Sequence, residues 1–131
     1  MKGFIISIMA FVALALTGCF NHRYINGDLD GQWQIMEIEL ADGAVEKPAQ
    51  TYYCINFHTV NLTAVGASSV PGNMQYDKDA STLAMQFPYS KDGDLKRWGI
   101  SGTEVVFDIR ELKRDRLVLQ NDVATITCRK F

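Results

Sequence analysis

Chemistry-bearing residues are scarce in this sequence. It has two histidines, His22 and His58, and three cysteines, Cys19, Cys54 and Cys128. No grouping of them has the ligand spacing of a structural zinc site. No Gly-x-Ser-x-Gly elbow, phosphate-cradling glycine loop or His-Glu-x-x-His pair occurs. Asp77, Asp79, Asp92 and Asp94 sit in turn-forming segments, but the remaining ligands of a calcium loop are missing. They read as solvated turn carboxylates. These absences point away from an enzyme, and neither a metal nor a cofactor is expected. Charge of one sign is lacking too. The 13 basic and 15 acidic residues interleave, so nucleic acid, which selects for a basic stripe, is not an expected partner. No apolar run reaches the roughly 20 residues that a membrane-spanning helix needs.

A shorter apolar run does open the chain. Lys2 is followed by Phe4 to Leu16 without a charge. That length suits the core of a secretory signal, about 7–15 residues. The run ends in Leu16-Thr17-Gly18-Cys19, which resembles the lipobox of bacterial lipoproteins: a leucine and small residues ahead of a cysteine. The resemblance implies that residues 1–18 are a signal peptide removed at Gly18. The Cys19 thiol would then carry diacylglycerol, and the new amine a further acyl chain such as palmitate. Two acyl chains suffice for stable anchoring, at about 0.8 kcal/mol per buried methylene. Phe20 stands where lipoproteins held at the inner membrane often carry Asp. By the same resemblance it points to the outer membrane of the cell envelope.

Residues 19–30 are polar and without periodicity, as suits a lipidated tether. His22, inside it, reads as solvated rather than as a ligand. Residues 31–131 form one small domain, and its pattern is a series of short strands between turn signals. Gln32 to Leu40 alternates, slips phase at Met36, and alternates again. One extra residue, a β-bulge, produces such a slip. Thr51 to Thr63 is long enough for one bent strand or two joined ones. Ala64 to Gly72 breaks the pattern. Asn73–Tyr76, Thr82–Phe87, Glu104–Glu111, Arg116–Gln120 and Ala124–Lys130 follow as strands, with one helical turn expected around Trp98. Seven or eight antiparallel strands on this scale suggest a sandwich or an up-and-down barrel. The chain ends in strand pattern, and pairing of the last strand with the first would close a barrel and remove its edges.

Gly31-Gln32-Trp33 opens the first strand, and Cys128-Arg129-Lys130-Phe131 closes the last. The first triplet is similar to the Gly-x-Trp signature of lipocalins. There the tryptophan plugs the closed end of the barrel, and a basic side chain from the last strand packs over its indole. The resemblance makes Trp33 and Arg129 the barrel-closing pair, a cation over an aromatic face. The domain as a whole looks like the small lipocalin-like lipoproteins of Gram-negative envelopes, a family of unknown function. This implies an all-β, up-and-down barrel of about eight strands. Such a barrel either fills with side chains or holds one small ligand. Tyr53, Ile55, Phe57, Met85, Phe87, Phe107 and Ile109 are the inward candidates, as core or as ligand lining.

Once Cys19 is lipidated, Cys54 and Cys128 remain, an even number in an oxidising compartment. A disulfide between them is one reading and two buried thiols is the other. In a closed meander each neighbours the first strand on opposite sides, about 9.6 Å apart, against the 7 Å a disulfide tolerates. Function then divides into two classes. The first is a membrane-anchored barrel binding a small apolar ligand or lipid. The second is a barrel binding an envelope protein, as a lysozyme-inhibitor-like module or an accessory subunit of an outer-membrane assembly. Lysozyme inhibitors of this build carry a Ser-Gly-x-x-Tyr segment, and Ser101-Gly102 is here followed by Thr103-Glu104-Val105.

The anchor is directly testable. Cys19→Ala is expected to abolish labelling of the protein by radioactive palmitate in cells and to leave the precursor uncleaved. A processed, released Cys19→Ala chain would identify an ordinary secretory signal instead.

Overall fold

The computed structural model describes residues 25–131, so the expected signal peptide, Cys19 and the first part of the tether lie outside the described residues. The alternating segments form strands where β-branched and aromatic side chains recur. Among the described residues the strands are β1 (Gly31–Leu40), β2 (Val45–Glu46), β3 (Thr51–Asn56), β4 (Thr59–Ala64), β5 (Val70–Asp77), β6 (Thr82–Gln86), β7 (Glu104–Leu112), β8 (Arg116–Gln120) and β9 (Ala124–Lys130). All pairings are antiparallel and sequential from β3 to β9, and β9 returns to pair with β1. Eight strands therefore close a barrel, and β2 is a two-residue addition beside the far half of β1.

The closing seam runs from Trp33 opposite Lys130 to Leu40 opposite Ala124, with a register shift between Ile35 and Glu37. Met36 is the extra residue and is exposed. The bulge returns Ile38 to the inner face, where the phase of Trp33 and Ile35 alone would have turned it outward. A second bulge lies between Ile109 and Glu111.

One end of the barrel, the base, carries the start of β1 and the β3–β4, β5–β6 and β7–β8 turns. The other, the rim, carries the β1–β3 connection, the β4–β5 and β8–β9 turns and the long β6–β7 loop. Short 3-10 turns at Gly27–Leu29 and Lys96–Trp98 lie at the base and the rim. The second is the helical turn expected around Trp98.

The structure corrects several expectations. Thr51–Thr63 is two strands joined by a tight turn, so Phe57 does not point inward. It sits in the turn with φ 55° and is 41% exposed. The break expected at Ala64–Gly72 is shorter, because β5 begins at Val70. Gly72 belongs to the strand for a packing reason. A Cβ there would stand 2.5 Å from the Phe87 ring, which lies over it.

Of the two readings left open for Cys54 and Cys128, the structure has two free thiols and no disulfide between them, with Cys128 buried and Cys54 only half-buried. Cys54 pairs with Gln32 and Cys128 with Ile35, so β1 runs between them. Their side chains also face opposite ways. Thr51, Tyr53 and Ile55 are buried, so Cys54 between them points outward, its sulfur 4.0 Å from the Thr63 hydroxyl. Cys128 points into the core, where burial pushes its thiol pKa up. Two thiols per chain are expected to react in denaturant without reductant. Only Cys54 is expected to react in the folded state, because the Cys128 thiol is buried and poorly ionised. A chain with no titratable thiol would overturn this placement.

Candidate functional site: the interior and its two stoppers

A barrel can bind a ligand inside only if space remains there. Tyr53, Phe87 and Phe107 have zero exposure, to internal space as well as to bulk solvent, and Ile55 and Met85 only 2% each. Those aromatic side chains line no void that admits a water molecule. Ile109 is half-buried at the margin of the same core. The expected lining residues, apart from Phe57, are thus brought together, but as a packed core. An eight-stranded barrel is narrow enough for its own side chains to fill, and the aromatic inward positions do so.

The base is stopped by a small polar and aromatic assembly. Trp33 is fully buried, and its indole N–H donates to the Leu29 carbonyl at 2.8 Å. The cation over the ring is Lys130, with Nζ 4.3 Å from the ring centroid. The sequence expectation of Arg129 is therefore corrected by one residue. In the closing register Lys130 stands directly opposite Trp33, on the same face of the sheet. Arg129 alternates outward, where its Nε donates to Gln34 at 2.9 Å.

The Lys130 ammonium also donates to the carbonyls of Asp28 at 2.9 Å and Asp30 at 2.5 Å, clasping the 3-10 turn against the base. Burial draws its pKa down, while the Asp28 and Asp30 carboxylates push it up. Gly31 is required at this crossing. It has φ 137°, and a Cβ there would stand 2.8 Å from Lys130 Nζ. Asp30 is buried and is met by the Asn26 backbone N–H at 3.1 Å and side-chain amide at 2.7 Å. Lys130 and Asn26 were missed as base residues. The signal for Lys130 was present, since Ala124, Ile126 and Cys128 as inward residues imply Lys130 as the next.

The rim is stopped by the β6–β7 loop. Leu95, Trp98 and Ile100 are buried. The Trp98 indole donates to the Thr63 carbonyl at 3.0 Å, and the Tyr53 hydroxyl, inside the barrel, donates to the Trp98 carbonyl. Burial pushes the Tyr53 pKa well above the ordinary phenol value, with Cys128 adding to the shift. The group therefore stays protonated and remains a donor. Gly99 takes the left-handed conformation, φ 79°, and an added Cβ would stand 2.6 Å from Ile126 Cδ1 and 3.6 Å from Ile38 Cδ1. The loop thus reaches side chains of β1 and β9, in the mouth of the barrel. Its ends are tied where the Phe87 N–H donates to the Thr103 carbonyl at 2.8 Å.

Clefts open on the outer surface. At the rim, Leu40, Ile100 and Val123 form the apolar part of a cleft of about 270 Å³ flanked by Glu46 and Lys96. At the base, Ile25, Tyr76 and Leu112 line one of about 470 Å³ with Asp28 and Lys78. Among the described residues, no three histidine, cysteine or carboxylate side chains converge as metal ligands.

Comparison with known proteins gives a consistent picture. The sequence pattern of the lipocalin-like domain family matches residues 14–131. A crystal structure of a lipocalin-like protein from Bacteroides uniformis superposes with a TM-score of 0.69 at 23% identity, over 80% of this chain and 100% of that one. An uncharacterised protein from Bacteroides eggerthii superposes at 0.61 with 16% identity, over 78% and 98% of the two chains. At these identities the likeness is one of fold. No curated protein matches.

The rim stopper makes two quantitative expectations. Gly99→Ala adds left-handed strain to overpacking and should cost about 2–4 kcal/mol of stability. Tyr53→Phe leaves the Trp98 carbonyl unpaired and should cost about 1–2 kcal/mol. Both are read by denaturant unfolding. Wild-type stability in both variants would mean that the loop does not seat in the mouth.

Proposed function

We propose that this chain, which belongs to the lipocalin-like domain family, is a lipid-anchored protein of the bacterial cell envelope that binds a protein partner at the rim of its barrel. The observation that carries this reading is the filled interior. A barrel of this size holds at most one small ligand, and the space such a ligand would take is occupied by the chain's own aromatic core and by Leu95–Ile100. Binding is thereby moved to the outside.

The rim has the composition of a small interface. Leu40 and Val123, over the buried Ile100, supply an apolar centre with Glu46 and Lys96 beside it, and Val45 next to Glu46 is half exposed. Apolar centres with a charged margin recur in protein interfaces. The rim is also the end opposite the start of β1, and hence opposite the anchor supplied by Leu16-Thr17-Gly18-Cys19. An anchored barrel therefore offers its rim to the surrounding compartment. Phe20 supports the outer membrane as its location. An accessory subunit of an envelope assembly is the form of partner binding that fits best.

One observation favours a second reading, a small apolar ligand in the mouth. The segment Leu95–Ile100 enters as a unit, and the Tyr53 hydroxyl and Trp98 indole tie it to the barrel. A ligand able to displace it would find an apolar pocket with one buried donor.

Native mass spectrometry separates the two. The chain from residue 20 onward, secreted to a bacterial periplasm and purified without detergent, is expected to show the mass of the polypeptide alone. A recurring adduct of small-molecule mass would replace the rim reading with the mouth reading.

A further inference from the structure

The base of the barrel carries features that its role as a stopper does not use. Phe57, at the tip of the β3–β4 turn, is 41% exposed with φ 55°. Two-residue hairpin tips with positive φ favour glycine or asparagine. An aromatic residue held there is strained, and its place at the tip of the turn leaves its ring partly in solvent. Ile25 is 52% exposed. The two are linked, because the Asn26 side-chain amide donates to the Phe57 carbonyl at 2.7 Å. Beside them, Tyr76 and Leu112 continue into the base cleft with Lys78 at its edge.

The position of the anchor says what covers this face. Cys19 lies six residues before Ile25. Even fully extended, that segment spans at most about 21 Å. The rim stands a further strand length away, and ten residues of β1 rise about 30 Å along the strand. A lipid anchor therefore holds the base against the bilayer, where tethering raises the effective concentration of two weak contacts to the millimolar range.

The chemistry of the base suits that surface. Tyrosine favours the headgroup level, phenylalanine and aliphatic side chains enter the boundary between headgroups and acyl chains, and a lysine beside them can lay its stem along apolar surface while its ammonium stays in water. The charges of the neighbouring turns nearly balance, Lys78, Lys113 and Arg114 against Asp79 and Asp115. Apolar insertion, rather than attraction to anionic lipid, is the driving term.

We infer that the base of the barrel is a membrane-docking surface, with Phe57 and Ile25 inserted into the bilayer interface beside the anchor. This rests on the anchored reading given above. It adds that the domain is held upright on the lipid, its rim directed away.

The test uses the full lipidated protein in vesicles of phosphatidylethanolamine and phosphatidylglycerol doped with lipids brominated near the top of the acyl chains. Trp33 and Trp98 are buried, so an added indole dominates contact quenching. Indoles introduced by Phe57→Trp, and separately by Ile25→Trp, are expected to be quenched several-fold more strongly than one introduced by Tyr89→Trp. Tyr89 lies in the loop after β6, at the rim, and is 86% exposed. The second base variant guards against misfolding of the first. Protein that floats with the vesicles while the base indoles stay unquenched would overturn docking and leave the anchor standing. Equal quenching at both ends would also overturn it, since the barrel would then lie on its side. Protein that fails to float would remove both readings together.

Discussion

The pairing of β9 with β1 is the contact on which the rest of this structure depends. It joins the first and last strands of the domain, from Trp33 opposite Lys130 to Leu40 opposite Ala124. Such a contact carries the largest loop-closure cost in the chain and is rewarded only when the intervening hairpins are in place. Once made, it removes both long edges of the sheet, which would otherwise template aggregation. It also brings Lys130 over Trp33, and it directs Ala124, Ile126 and Cys128 into the core. Without it the base would have no cation and the interior no fourth wall.

Closure at eight strands then fixes what the interior can be. The circumference is small, and large side chains such as Tyr53, Phe87 and Phe107 consume it. The two ends are stopped by different means. At the base, the charged Lys130 amine satisfies backbone carbonyls of a 3-10 turn and faces an indole. At the rim, a glycine in the left-handed conformation lets the backbone descend onto Ile126, and a buried phenol holds it there. The same topology therefore yields a barrel whose interior is filled and whose two ends are both stopped. The base lies at the N-terminal end of β1, and the rim lies at the opposite end.

Much of this was legible in the residues. The phase slip at Met36 marked the bulge in β1, because a period of two leaves no other way to keep Ile35 and Ile38 on one face. The turn around Trp98, and β8 and β9 with their boundaries, followed from alternation and turn signals. Other features were not legible. Arg129 and Lys130 are adjacent cations, and only the register of the seam decides which one crosses Trp33. Phe57 reads as a strand aromatic because hydrophobicity does not reveal that the chain reverses there. Val70–Gly72, rich in small residues and proline, reads as a break. Its place in β5 depends on the Phe87 ring that covers Gly72.

The sequence by itself determined the strand pattern, the all-β class and the resemblance to lipocalin-like barrels. These are properties of period, turn chemistry and local motif, and each is written within a few residues. Only the tertiary structure decided that Cys54 and Cys128 stay apart, that Lys130 is the closing cation, and that the interior is full. Each of these depends on register across β1 or on volumes summed around the whole barrel. Such quantities belong to residues distant in the chain, and they acquire values only when the last strand meets the first.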